Sequence, residues 1–599
     1  MKEQPYNRRV VVYRNQPPRR RVPRWLMGLI ASVIIAGVLL GVGLLWLKRR
    51  LTEHFDVLIV NGLLVDGTGA AARRTAIGIR DGKIAAVTWP TFAQADQLID
   101  AEGMVVAPGL IDVHTHIEGN VAGASKGPLS APNFISQGIT TIITGNCGRS
   151  ATSLAKFFRQ LESQGVEINV ASLVGHNTIR RQVLGEAGRA PTPDELRKMA
   201  DLIARAMQDG ALGLSTGLEY TPGTFADARE VQALATVAAQ YHGIYTTHMR
   251  DEGNGVIDSI KEALDVGRQA HIPVEISHLK WRGRINWGKA QRLVDLLRQA
   301  QREGLQVRCD LYPYTASSTS LDLLIPKGAR EGGINKLRER LSDATQHRRI
   351  VESILEQMRN EGWDDFTFAR VAACDFAPEY DGLTIPELSA LMNSQTHVAG
   401  GNPKNDNTAL KSIGTERTGQ AKSIAGDANR ESQAPYLKPE RQAETICRLA
   451  ARGPVQMIYE NMSEDDVACI LQFSDCMLGS DSGIRNGEGR PHPRGYGSAP
   501  RLLRLFAIDR QLFSLEEAVR RMTSLPAETF GFSNRGKLLE GYCADVVIFD
   551  PLAIRDAATY DHPFRAPEGI TYVLVNGQLA FDHGRSVALH AGQVIKREP

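Results

Sequence analysis

The chain has 599 residues, of which 42% are apolar and 23% charged, with a formal charge of +3. This length and apolar content provide for a large core and more than one domain, and exclude a disordered chain or a small disulfide-framed one. Eleven basic residues and one acidic residue lie within residues 1–50, so that segment is +10 and the remainder −7. The basic excess therefore belongs to a tail, and the charge pattern gives no indication of nucleic-acid binding.

Trp25 to Leu47 is a 23-residue run without a charge. It measures about 35 Å as a helix, enough to cross a bilayer. Eight basic residues precede it and only Lys48, Arg49 and Arg50 follow. The positive-inside rule places residues 1–24 in the cytoplasm and the rest outside it, periplasmic for a bacterial inner membrane. The run ends in Leu-Trp-Leu-Lys-Arg-Arg. It lacks the small residues of a cleavage site, so it reads as an uncleaved single-pass anchor.

Beyond the anchor, Asp56 to Gly62 and Ala76 to Val87 read as strands punctuated by Asn61-Gly62 and Asp81-Gly82 turns. Ala544 to Phe549 and Thr571 to Gly577 repeat the pattern near the other end. Neither end has strands enough for its own core. The expectation is one small composite β-sandwich built from residues 54–108 and 531–599.

Between them, eight apolar runs begin near residues 110, 139, 168, 212, 243, 273, 306 and 476. Most are separated by about the length of a strand, a crossover helix and two loops. The pattern predicts an α/β fold, a (β/α)8 barrel over 109–530. One gap is too long, and an insertion is expected over about 326–470, with helices at Ile334 to Leu341 and His347 to Asn360 and a subdomain over the barrel mouth. Asn393 to Lys438 is rich in polar residues, and its only aromatic is Tyr436, so it is expected to be a mobile or disordered excursion.

The first run ends in His114-Thr115-His116, two imidazoles on one face of a strand and able to reach one cation. Cys147, His248, His278 and Asp481 also follow the ends of runs. Reactive groups of such barrels sit at the C-terminal ends of strands, where all six of these residues fall. Seven cysteines in a chain this long make no disulfide framework. Cys147 is set apart for metal, and the other six read as mostly packed core.

These residues resemble a known family. His114-Thr-His116, Gly145-Asn-Cys147-Gly, Thr247-His248-Met-Arg250, Ile276-Ser-His278-Leu-Lys280, Tyr312-Pro-Tyr314 and Ser480-Asp481 look like the amidohydrolase superfamily, specifically its N-acyl-D-amino-acid deacylase branch. Gly213 to Gly223, His492-Pro-Arg494 and Met522 to Ala527 add to the match, which spans residues 54–599 except about 393–438. The anchor and the polar insertion depart from most relatives. The resemblance implies one tight zinc held by Cys147, His248 and His278, and a weaker second position at His114 and His116 that shares Cys147. It implies that Asp481 takes a proton from the attacking water and delivers it to the leaving amine. It also implies that Lys280, Tyr312 and Arg494 bind the substrate carboxylate, with Tyr220 a weaker candidate. His176 is a candidate for a supporting position. The expected partners are therefore a small N-acyl amino acid and the membrane.

Two other readings stand beside the deacylase. One is a different amidohydrolase, such as a cyclic-amide hydrolase or dipeptidase, which the carboxylate-binding groups discriminate. The other is a membrane-tethered binding protein on an inactive barrel, which a missing ligand would favour; none of the six is missing.

Overall fold

The computed structural model describes residues 25, 29, 32–40, 53–89, 93–123, 127–398, 438–485, 487–588 and 590–597. The chain divides into two compact units, residues 1–55 with 90–96, and 56–89 with 97–599. In the first, residues 32–40 are helical and exposed, and His54 Nε2 lies 3.2 Å from Asp96 Oδ1. Most of the expected anchor, Trp25 to Leu47, lies outside the described residues. Among the described residues, no helix is long and apolar enough to cross a membrane.

The second unit is built on eight parallel strands. Leu110–Asp112, Ile139–Thr144 and Asn169–Ser172 pair in sequence, and the third continues through Leu173 into Val174–Gly175. From there Gly213–Gly217, Ile244–His248, Val274–Ile276, Val307–Leu311 and Cys476–Leu478 follow in order. Val113 N donates to Leu478 O and Asp481 N to His114 O, so the last strand returns to the first and closes the ring at its C-terminal rim. The strands are apolar along most of their length because each is covered on both faces, inside by the other strands and outside by helices. Those helices have the one-sided patterning of crossovers. Pro193–Gln208, for example, starts with a Thr192/Glu195 capping box and buries Met199, Ile203, Ala206 and Met207.

Strands from both chain ends share one core. Val105–Pro108 lies antiparallel to Val546–Phe549, with Ile548 opposite Val106, and Ile570–Val575 and Gln578–Asp582 extend the sheet. Val57 pairs with Ile79 in a second sheet. Val57, Ile79, Ile84, Val106, Val546, Ile548 and Leu574 pack together between them. The extreme C-terminus departs from the expected sandwich over 531–599. Val170 N donates to Gln593 O and Ile595 N to Val170 O, so this segment runs along the third barrel strand, where unpaired backbone groups accept it.

The insertion between the seventh and eighth strands has its own antiparallel sheet, Ala316–Ser320, Gln456–Glu460 and Ala369–Ala373. Helices Gly333–Ser342, Ala344–Asn360 and Pro439–Arg452 cover it around Phe366, Ile354 and Ile446. Helix Ile385–Val398 runs six residues into the segment expected to be disordered; most of that segment lies outside the described residues.

Candidate metal centre

Four of the eight strand ends bring four donor atoms together. Cys147 Sγ lies 3.2 Å from His114 Nε2, 3.4 Å from His278 Nε2 and 3.7 Å from His248 Nδ1, and the last two nitrogens are 3.0 Å apart. His114, His248, His278 and Cys147 are buried, whereas the side chain of His116 is 28% exposed. The three-donor groups Cys147–His248–His278 and His114–His116–Cys147 share the thiol, and Glu219–His248–Glu252 forms a third group beside them. Cys147, His278 and Asp481 all have positive φ, at 51°, 38° and 50°. Such backbone is uncommon outside glycine, and it bends the chain at the three residues whose side chains meet at the centre.

The opposite edge of each buried imidazole meets a carboxylate. His114 Nδ1 faces Asp310 Oδ2 at 3.1 Å, His248 Nε2 faces Glu219 Oε2 at 3.1 Å, and His278 Nδ1 faces Glu252 Oε1 at 3.0 Å. Arg282 forks onto Glu219 at 2.8 and 2.6 Å, and Asp310 Oδ1 also accepts the backbone N–H of His278. This is the support that metal-binding histidines receive; it leaves the inward nitrogen as the donor. Burial pushes the Cys147 thiol up, but His114 and His278 outweigh it and hold it well below the usual thiol range. Burial pushes His248 down, yet Glu252, Cys147 and Glu219 raise it to about 10, so the acidic surroundings draw positive charge to the centre. One thiolate, inward-facing imidazole nitrogens and an acidic surround fit a divalent cation of the zinc type.

The remaining expected residues lie around this point in different states. Asp481 Oδ1 is 3.1 Å from His116 Nε2, and its Oδ2 accepts from Arg494 Nη2 at 3.0 Å. Burial pushes the Asp481 carboxyl up, but Arg494 and His116 hold it well below the ordinary range, so it is a carboxylate. The Arg494 guanidinium also stacks 4.5 Å over the Tyr312 ring and donates to Ser318 O. Arg494 Nη1 and Tyr312 Oη are both buried without a hydrogen-bond partner, two donors aimed at something else. Lys280 does not stand free: its Nζ donates to Glu252 at 2.7 Å and lies 2.8 Å from His278 Nδ1. Tyr220 lies with its ring 4.4 Å from that of His248, and its hydroxyl accepts from Thr319 of the insertion sheet. His176 is not part of the centre; it is buried against Glu230, which also pairs with Arg180.

Sequence reasoning missed Glu219, Glu252, Asp310 and Arg282. A usable signal existed, since each stands within four residues of a recognised position: Glu219 beside Tyr220, Glu252 after His248, Asp310 before Tyr312, Arg282 after Lys280.

A parallel (β/α)8 barrel with a cysteine–histidine centre at its C-terminal rim defines a metal-dependent hydrolase class. The family model for the amidohydrolase family matches residues 97–310 and 414–581, and the chain belongs to that family. It is 33% identical to a D-aminoacylase of Alcaligenes xylosoxydans xylosoxydans, over 91% of this chain and 98% of the relative. It is 32% identical to an N-acyl-D-glutamate deacylase of the same organism, over 91% and 97%. Among solved structures, N-acyl-D-glutamate deacylase from Bordetella bronchiseptica, complexed with zinc and a phosphonate mimic of the reaction's tetrahedral intermediate, superposes with a TM-score of 0.71 at 32% identity, covering 91% of this chain and 100% of that one. A D-aminoacylase studied for its binuclear metal centre matches with the same score and coverage at 30% identity.

Proposed function

We propose that this protein is a zinc-dependent hydrolase that cleaves the amide bond of N-acyl-D-amino acids to a carboxylate and a free D-amino acid. The observation that carries the reading is the convergence of Cys147 Sγ, His248 Nδ1 and His278 Nε2 beside an ionised Asp481. Cys147, His248 and His278 hold the tight zinc, and His114 and His116 offer a weaker position that shares Cys147. The metal, when bound, supplies Lewis acidity that lowers the pKa of water to about 7 and polarises an amide carbonyl.

The chain's own residues do the rest. Asp481, at the open side of the centre, accepts the proton of the attacking water. As the C–N bond breaks, it delivers that proton to the leaving amine. Arg494 keeps Asp481 ionised through Nη2 and leaves Nη1 for the substrate carboxylate, whose other contact is the Tyr312 hydroxyl. Arginine suits this double task because its planar fork serves two acceptors at once. Lys280 adds positive charge but shares it with Glu252, so it acts mainly by orienting His278.

Hydrolysis of paired D and L N-acyl substrates by the full-length protein tests the reading. Cleavage of the D partner alone supports it, and preference for L substrates or cyclic amides refutes it. The charge pattern around Trp25 to Leu47 further supports an anchored protein with its catalytic domain outside the cytoplasm. A C-terminal alkaline-phosphatase fusion should then be active and a green-fluorescent fusion exported by the same route dark; the opposite pattern refutes that topology.

A further inference from the structure

The groups at the rim include one partly buried cation that the mechanism does not use. Arg485 lies in the loop that follows the eighth strand, four residues after Asp481. Its Nε is buried without a hydrogen-bond partner, and it forms no ion pair among the described residues. The loop is fixed by its backbone: Arg485 N donates to Asn133 Oδ1, Ile484 N to Asn120 Oδ1, and the Tyr496 hydroxyl to Arg485 O. The side chain faces the start of the helix that carries Arg494. A Cβ built on Gly495 would come within 3.4 Å of Arg485 Cγ and 2.9 Å of Ser482 Oγ. Burial and the like charge of Arg494 push the Arg485 guanidinium down to about 10, with Asp481 too little to compensate.

A buried arginine and a partly buried one side by side, only the former in an ion pair among the described residues, are costly unless an anion joins them. The position is also on the accessible side of the centre. His116 and Asp481 retain side-chain exposures of 28% and 14%, whereas His114, His248, His278 and Arg494 are closed off. Arg485 follows Asp481 in the same loop and is close enough to feel its charge and that of Arg494. Arg494 with Tyr312 accounts for one carboxylate, the one every N-acyl amino acid carries.

Resting on the deacylase reading above, we propose that Arg485 is a specificity-determining residue that binds a second carboxylate of the substrate, so that the preferred substrates are N-acyl-D-amino acids with two carboxylates. That second carboxylate has two sources, an acidic amino-acid side chain or a dicarboxylic acyl group.

The test compares kcat/KM of the zinc-loaded, full-length protein on N-acetyl-D-leucine, N-acetyl-D-glutamate and N-succinyl-D-leucine. One of the two dicarboxylates should exceed N-acetyl-D-leucine by at least about tenfold, and which one it is identifies the source. In Arg485→Met that ratio should fall by at least about 30-fold, and in Arg485→Lys it should be partly restored, with zinc content unchanged in both. The ratio is the readout, so a general loss of activity does not imitate the effect. If Arg485→Met does not fold, the wild-type ratio and Arg485→Lys decide. A wild-type preference for N-acetyl-D-leucine, or a ratio that survives substitution, overturns the proposal while leaving the deacylase intact. Failure to cleave any of the three overturns the deacylase reading and the proposal together.

Discussion

Asp481→Asn probes the proton-handling step with little structural disturbance. Asparagine is nearly isosteric and is among the few residues that tolerate the positive φ of 50° at this position. Its Oδ1 can still accept from Arg494, at the 3.0 Å now spanned by the carboxylate, while the amide replaces the oxygen 3.1 Å from His116. What is lost is the ability to take a proton near neutral pH. General acid–base assistance contributes about 10²- to 10⁴-fold, which is about 3 to 5.5 kcal/mol in the barrier. Replacing the charge-assisted contact to Arg494 with a neutral one costs about 1 to 2 kcal/mol of local stability. Arg494 Nη1 stays available for the substrate carboxylate, so KM should not rise. Steady-state kinetics on the preferred N-acyl-D substrate, with zinc measured by elemental analysis on the same sample, separates these effects. A kcat within threefold of wild type at normal zinc content would remove Asp481 from proton transfer. A parallel loss of zinc would show instead that its role is to hold the metal site together.

Cys147→Ala removes the one donor common to the two groups that contain the thiol, so zinc and activity should disappear together; a zinc-replete active variant refutes the assignment. Glu219→Gln and Asp310→Asn leave the ligands in place but loosen His248 and His114, and should weaken zinc binding by about 10- to 100-fold in chelator competition. The Cys147 thiol is held well below its usual pKa and the Cys447 thiol is pushed by burial to about 12. Thiolate is the reactive form, so at pH 8 metal removal should sensitise Cys147 to iodoacetamide while Cys447 stays unmodified, as read by peptide mass spectrometry; equal labelling of both would refute the difference. Phe366→Ala, in the insertion's separate core, should cost that core about 3 to 5 kcal/mol and lower its melting transition while zinc stays bound; loss of zinc at the same temperature would show that barrel and insertion unfold as one.

Much of the architecture is written locally. Each barrel strand is an apolar run whose burial on both faces demands that composition, and the crossover between strands needs a roughly constant length, so the first seven strands were legible from spacing and the eighth from its apolar run alone. His114 and His116 share a face because side chains on a strand alternate, which requires no knowledge of the fold. Cys147, His248, His278 and Asp481 were legible because each ends its strand or lies within three residues of its end. What tertiary structure alone decided is pairing across the rim. Lys280 and Arg494 carry the same charge and read alike in sequence, yet Glu252 takes Lys280 from one side while Arg494 keeps one nitrogen unpartnered. Glu219, Glu252 and Asp310 resemble any surface carboxylate until closure of the barrel sets each against an imidazole. The positive φ values at Cys147, His278 and Asp481 are likewise imposed by the rim, since none of these residues adopts that backbone by preference. Ion pairs and backbone strain depend on which groups lie within a few ångströms. In a closed barrel those neighbours come from strands far apart in the chain, as with Asp310 and His114, 196 residues distant.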